Sequence, residues 1–135
     1  MPAVTKVETL PVKAETDVVM VRQAVRAWSI QAGFTLVDQT KMVTAASEIA
    51  RNTVIYGGGG QCKLEALQDG IRKGVRLTFE DQGPGIADLA LAFKDGYTTG
   101  SGLGMGLGGA RRLVNEFTID TAPGKGTRIA LTRWK

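Results

Sequence analysis

The sequence predicts an α/β fold, a two-layer α/β sandwich in which helices cover one face of a mixed, mostly antiparallel sheet. Three observations predict it. Segments of strand-like alternation and helix-like periodicity follow one another in the order β, α, α, β, β, loop, α, β, β. Two pairs of alternating runs are joined by turn-forming groups, Asp69-Gly70 and Pro123-Gly124-Lys125-Gly126, and so read as antiparallel hairpins. Each helical segment carries its apolar residues on one face, which must be buried against the sheet.

Each element has its own justification. Residues 4–13, VTKVETLPVK, alternate in part and form the first strand, with Pro11 marking an edge or a bulge because proline brings no N–H to a ladder. Thr16 and Asp17 offer an N-cap to a first helix in which Val18, Val21, Val25, Trp28 and Ala32 share a face, and Gly33 stands where a C-cap glycine belongs. A second helix over residues 39–56 starts on Asp38 as its cap and packs through Met42, Ala45, Ala46, Ile49 and Ile55. Gly57 ends it, and residues 57–60, all glycine, make a flexible exit. Residues 61–68 and 74–80 form the first hairpin, and residues 87–93, ADLALAF, a short helix. A glycine-rich stretch from Gly96 then enters a helix over residues 107–117, with Leu107, Ala110, Leu113 and Val114 helically spaced. The strands FTIDTA and TRIALTRW close the chain.

Length and composition suit one domain spanning residues 1–135, with enough apolar residues for a single core. No apolar run is long enough to cross a bilayer, and the first residues lack a secretory or lipidation pattern, so a cytoplasmic location without membrane partners is expected. The chain has one cysteine, Cys62, and no histidine. An internal disulfide, a His/Cys zinc site, Ser-His-Asp or Cys-His catalysis and a phospho-accepting histidine are therefore excluded. Acid–base work falls to carboxylates or lysine. A formal net charge of +4 suits an anionic ligand, but the basic residues are scattered without aromatic interleaving, so nucleic acid is not an expected partner.

Three pieces can carry chemistry. Glu48 and Asn52 lie four apart on the second helix, sharing a face. They are either solvated polar residues or the rim of a cleft, where an amide oxygen suits Mg²⁺ and a carboxylate can take a proton. Asp81-Gln82-Gly83-Pro84-Gly85-Ile86 follows a strand and makes a good turn. It could equally place the Asp81 carboxylate against a purine amino group, with Gly83 and Gly85 letting the backbone lie on the base. The run Gly104-Met105-Gly106-Leu107-Gly108-Gly109 formally matches GxGxxG. It lacks the preceding apolar strand and the acidic residue about 20 positions later that a dinucleotide site requires. What remains is a glycine loop at a helix start, either a surface loop or a cradle for phosphate.

In this order, EIARN, DQGPGI and GLGMGLGGARRL resemble the three nucleotide-binding boxes of the GHKL ATPase superfamily, which has the Bergerat-type fold. GKGT at residues 124–127 resembles the last contact motif of that superfamily. The likeness covers essentially the whole chain, and within the superfamily it is similar to the small serine/threonine kinases of bacterial partner-switching systems, the switch kinases of the stressosome above all. The resemblance implies Glu48 as general base, Asn52 as Mg²⁺ ligand and Asp81 as adenine partner. It also implies an adenine pocket shaped by Gly83 and Gly85, a phosphate-binding lid and helix start at Gly102, Gly104, Gly106 and Leu107, and Thr127 as a support for Asp81. Arg51 stands beside the site as a candidate contact for phosphate or protein substrate. The implied activity is ATP·Mg²⁺-dependent phosphorylation of a STAS-domain antagonist, with release to activate a PP2C-type phosphatase, in a larger signalling complex. The rival is an anti-sigma-factor kinase that sequesters a sigma subunit. Against it, TVIYGGGG stands where anti-sigma relatives often carry a histidine.

Overall fold

The computed structural model describes residues 2–86 and 106–135. The chain runs β1 (Ala3–Val12), α1 (Glu15–Gln31), α2 (Leu36–Ile55), β2 (Gly60–Asp69), β3 (Arg72–Asp81), α3 (Gly106–Arg112), β4 (Glu116–Thr121) and β5 (Thr127–Trp134). The strands form one sheet in the order β1-β2-β3-β5-β4, and every neighbouring pair is antiparallel. The two-layer α/β sandwich follows, because the buried side chains of α1, α2 and α3 meet those on one face of this sheet. The short helix expected over residues 87–93 lies outside the described residues.

The core is the predicted one in most of its members. Val21, Val25 and Trp28 from α1 and Met42, Ala45, Ala46 and Ile49 from α2 pack on Cys62 and Leu64 of β2, Val75, Leu77 and Phe79 of β3, and Ile129 and Leu131 of β5. Burial pushes the Cys62 thiol well above its ordinary range, so this cysteine is an inert packing residue. Ile55 departs from its expected place and is 57% exposed. The buried stripe of α2 ends at Thr53, and two further residues turn the side chain by about 200° around the helix, away from the sheet.

The helix starts are set differently from the sequence expectation. α1 begins at Glu15, before Thr16 and Asp17. The Asp17 carboxylate instead folds back from the first turn to accept the N–H groups of Lys13 (2.8 Å) and Ala14 (3.2 Å). For α2 the cap is Thr35, whose hydroxyl oxygen accepts the Asp38 N–H at 3.2 Å. Asp38 therefore falls within the first turn, and the hydrogen bond and charge of Arg133 of β5 at 2.6 Å, helped by Thr35, hold its pKa below the usual carboxylate range. The same guanidinium donates to the carbonyl of Leu113 at 2.8 Å. α3 therefore stops at Arg112 rather than running to Phe117: the Asn115 N–H goes to the Thr132 carbonyl and the chain enters the sheet.

β1 is an edge strand, as Pro11 requires, with a bulge between Val4 and Lys6. In the β2–β3 hairpin Asp69 pairs with Arg72, so the turn centre is Gly70-Ile71 rather than Asp69-Gly70. Gly70 supplies the positive φ, which matches a two-residue turn with glycine first. The sheet face away from the helices is polar and carries cross-strand ion pairs. Arg76 holds Glu65 through two hydrogen bonds of 2.9 and 3.1 Å, which lower the Glu65 pKa and raise that of Arg76. Among the described residues, no helix is long and apolar enough to cross a membrane.

Candidate active site

The second half of α2 supplies the first functional side chains. α3 packs on α2, and its Leu107 and Ala110 join the core to which Ala45, Ala46 and Ala50 of α2 belong. Glu48 sits between the two helices, only 8% exposed. Its Oε1 accepts the N–H of Gly106 at 3.0 Å, and its Oε2 lies 3.5 Å from Nη1 of Arg51. Both carboxylate oxygens of this nearly buried side chain therefore face a donor. Gly106 has φ +70°, a conformation that side chains rarely adopt, so glycine is what allows its N–H to turn toward Glu48.

Asn52, one turn beyond Glu48, is half-buried. Its backbone carbonyl accepts the N–H groups of both Tyr56 (2.9 Å) and Gly57 (3.2 Å), closing the end of α2. Gly57 then lies directly on Asp81: a β-carbon there would collide with the Asp81 carboxylate, and one on Gly83 would collide with the backbone of Gly57. Asp81 ends β3, and its Oδ1 accepts the N–H of Gly83 at 2.9 Å. The end of α2, the end of β3 and the following turn thus form one packed unit, built on glycine at the contact points.

The other wall is the β4–β5 turn. Gly124 donates its N–H to the Pro84 carbonyl at 2.6 Å, and Ile86 donates its N–H to Oγ1 of Thr121 at 3.0 Å. Side chains at Gly85 or Gly126 would strike the backbone of Ala122 or Asp81 respectively, and both glycines have positive φ. Thr127 pairs with Asp81 across the β3–β5 ladder. Its hydroxyl lies 2.9 Å from that of Thr121, which in turn donates to the Gly126 carbonyl at 3.0 Å.

The structure therefore brings Glu48, Asn52, Asp81, Gly83, Gly85, Gly106, Leu107 and Thr127 to one end of the sandwich. Gly102 and Gly104 lie outside the described residues. Sequence reasoning did not single out Gly57 or Thr121 and had Gly126 only as part of the GKGT motif. Residues 57–60, expected as a flexible exit, instead hold Gly57 against Asp81 and begin β2 at Gly60, with Gly59 donating its N–H to the Thr53 carbonyl at 2.9 Å and Gly58 open to solvent.

A buried carboxylate on a helix, an aspartate packed against glycine and a glycine at the start of a third helix thus lie together at one end of the fold. The family model for histidine kinase-, DNA gyrase B- and HSP90-like ATPases matches residues 37–134, and the chain belongs to that family. The serine/threonine-protein kinase RsbT of Bacillus subtilis is 42% identical over 123 residues, covering 91% of this chain and 92% of that protein. An anti-sigma F factor of Bacillus licheniformis is 34% identical, covering 83% of this chain and 80% of its own length. Among solved structures, the RsbU and RsbW domains of Rv1364c from Mycobacterium tuberculosis match with a TM-score of 0.64 at 25% identity; this chain is covered fully and spans 33% of that one. The mycobacterial sensor histidine kinase MprB shares the fold at 18% identity, with a TM-score of 0.55 and coverage of 94% and 96%. The enzyme class follows from the same similarity: a protein serine/threonine kinase built on an ATPase domain.

Proposed function

We propose that this chain, as a single domain, transfers the γ-phosphoryl group of ATP·Mg²⁺ to a serine or threonine of a STAS-domain antagonist in a partner-switching module. The observation that carries the reading is Glu48, a carboxylate buried between α2 and α3 within the packed end that also holds Asp81. Glu48 would accept the proton of the attacking hydroxyl, and Asp81 would accept a hydrogen bond from the adenine amino group beside Gly83 and Gly85. Thr127 would brace the ladder opposite Asp81, and the backbone at Gly102, Gly104, Gly106 and Leu107 would face the phosphates. Phosphoryl transfer asks mainly for position and charge neutralisation, so no histidine is needed.

The donor set fits the metal. Among the described residues there is no group of three or more acidic, cysteine or histidine side chains that could hold an ion. Mg²⁺ keeps several waters and binds by few protein oxygens in nucleotide sites, so the Asn52 amide oxygen together with substrate phosphates would suffice. Bound there, the ion would neutralise charge on the transferring group. Release from the phosphorylated antagonist would then free the kinase to bind and activate a PP2C-type phosphatase, in the cytoplasm and in a stress or sigma-factor pathway.

Incubation with γ-labelled ATP, Mg²⁺ and purified STAS-domain proteins tests this, with label expected on serine or threonine. Glu48→Gln should lower transfer by about 10²–10⁴-fold with ATP affinity largely kept. Undiminished transfer would remove Glu48 from the base role. The similarity to anti-sigma F factors supports a second reading, sequestration of a sigma subunit. Capture of a sigma factor in place of a STAS protein and a phosphatase would favour it.

A further inference from the structure

We infer that Arg51 is a positioning residue for Glu48, fixing the orientation of its carboxylate rather than binding phosphate or the protein substrate; this rests on the reading of Glu48 as the base. The carboxylate has two oxygens in unequal settings. Oε1 is tied to the Gly106 N–H in a buried bond of 3.0 Å. Oε2 faces Nη1 of Arg51 at 3.5 Å, the long limit of a hydrogen bond, and the Glu48 side chain is 11% exposed against 48% for Arg51. An ion pair three residues apart on an open helix surface contributes little. Here one partner is nearly buried, and a buried carboxylate without a counter-charge is costly.

The pairing also has the asymmetry that a base requires. A short two-pronged grip by the guanidinium would engage both carboxylate oxygens at once. A single contact at 3.5 Å stabilises the charge and restrains rotation while leaving Oε2 able to accept a proton. Arg51 reaches from the solvent side, so its other donors stay in water and anchor it at little desolvation cost. Without it the carboxylate would be restrained at Oε1 alone and free to rotate about that bond, taking the Gly106 contact with it.

The effect is readable in the nucleotide-free chain. In Arg51→Ala, the Gly106 amide proton should shift and exchange with solvent about tenfold faster, while Arg51→Lys, which keeps a charge within reach, should restore most of the protection. With ATP·Mg²⁺ as donor and water or a purified STAS-domain protein as acceptor, Arg51→Ala should lower kcat about tenfold or more, change KM for ATP and acceptor less than about threefold, and regain part of kcat as Arg51→Lys. Added to Glu48→Gln, it should cost nothing further. A rise in KM with kcat kept, or an unchanged Gly106 amide and unchanged kcat, would overturn the role of Arg51 while a dead Glu48→Gln left the base in place. Full activity in Glu48→Gln, or absence of turnover with every acceptor, would overturn the base and with it this role.

Discussion

The two ends of the candidate site are held by different means. Around Asp81, glycine backbones lie on their neighbours with no room for a side chain: Gly57 on the Asp81 carboxylate, Gly83 on the backbone of Gly57, Gly85 on that of Ala122, and Gly126 on that of Asp81 and Gln82. Around Glu48, a side chain is held by two hydrogen bonds, one from the Gly106 N–H and one from a half-exposed arginine. Apposed glycine backbones have no alternative rotamer, so the Asp81 end has one shape. A carboxylate held by hydrogen bonds can exchange partners by rotating its side-chain torsions. The first arrangement suits recognition of a rigid flat ligand, and the second suits a group that must give and take a proton.

Gly126→Ala breaks the contrast most severely. The new β-carbon would meet the Asp81 carbonyl, at a residue with φ +75°. Left-handed strain and overpacking together should cost about 2–5 kcal/mol of stability, read as a lowered denaturant midpoint. Wild-type stability in this variant would show that the cradle yields and is not locked by backbone contact.

Asp81→Asn tests the same end without changing its shape. Asparagine keeps Oδ1 as an acceptor for the Gly83 N–H and loses the charge. ATP affinity should fall about tenfold or more, from the roughly 1.5–3 kcal/mol of a charged hydrogen bond, with the unfolding midpoint nearly unchanged. Equal ATP affinity measured by calorimetry would remove Asp81 from adenine recognition and leave the cradle a purely structural feature.

Much of this was legible in the chain. The element order, the two hairpins and most of the core follow from periodicity and turn chemistry, and the grouping of EIARN, DQGPGI and GKGT from the resemblance to the superfamily. What escaped were features decided by tertiary partners. Asp38 looks like a cap, but α2 starts earlier, on Thr35, and the Asp38 carboxylate pairs with Arg133, 95 residues later. The predicted extension of α3 through Asn115 fails because Asn115 is worth more to the sheet, where its N–H reaches Thr132 and its Oδ1 accepts the Trp134 N–H at 2.7 Å. Gly57 read as slack because a glycine needed for close approach is indistinguishable, in sequence, from one needed for freedom.

The smallest expected effect separates the two ends by pH. Arg133 joins Asp38 at the start of α2 to Leu113 just beyond α3, and so braces the two helices that enclose Glu48. The hydrogen bond from Arg133, with its charge, holds the Asp38 pKa below the ordinary value of 3.8. A depressed folded pKa means that the unfolded chain takes up the proton first, so this contribution is complete above about pH 4 and is lost as pH falls through the depressed value. In Asp38→Asn the contribution is absent at every pH. The stability gap between wild type and Asp38→Asn, from denaturant unfolding, should therefore be present at neutral pH and close in acid. The gap for Gly126→Ala, being steric, should stay constant over the same range. Parallel curves for Asp38→Asn would mean that the Arg133 clamp does not depend on the carboxylate charge, and the division between a backbone-locked end and a side-chain-held end would lose its electrostatic half.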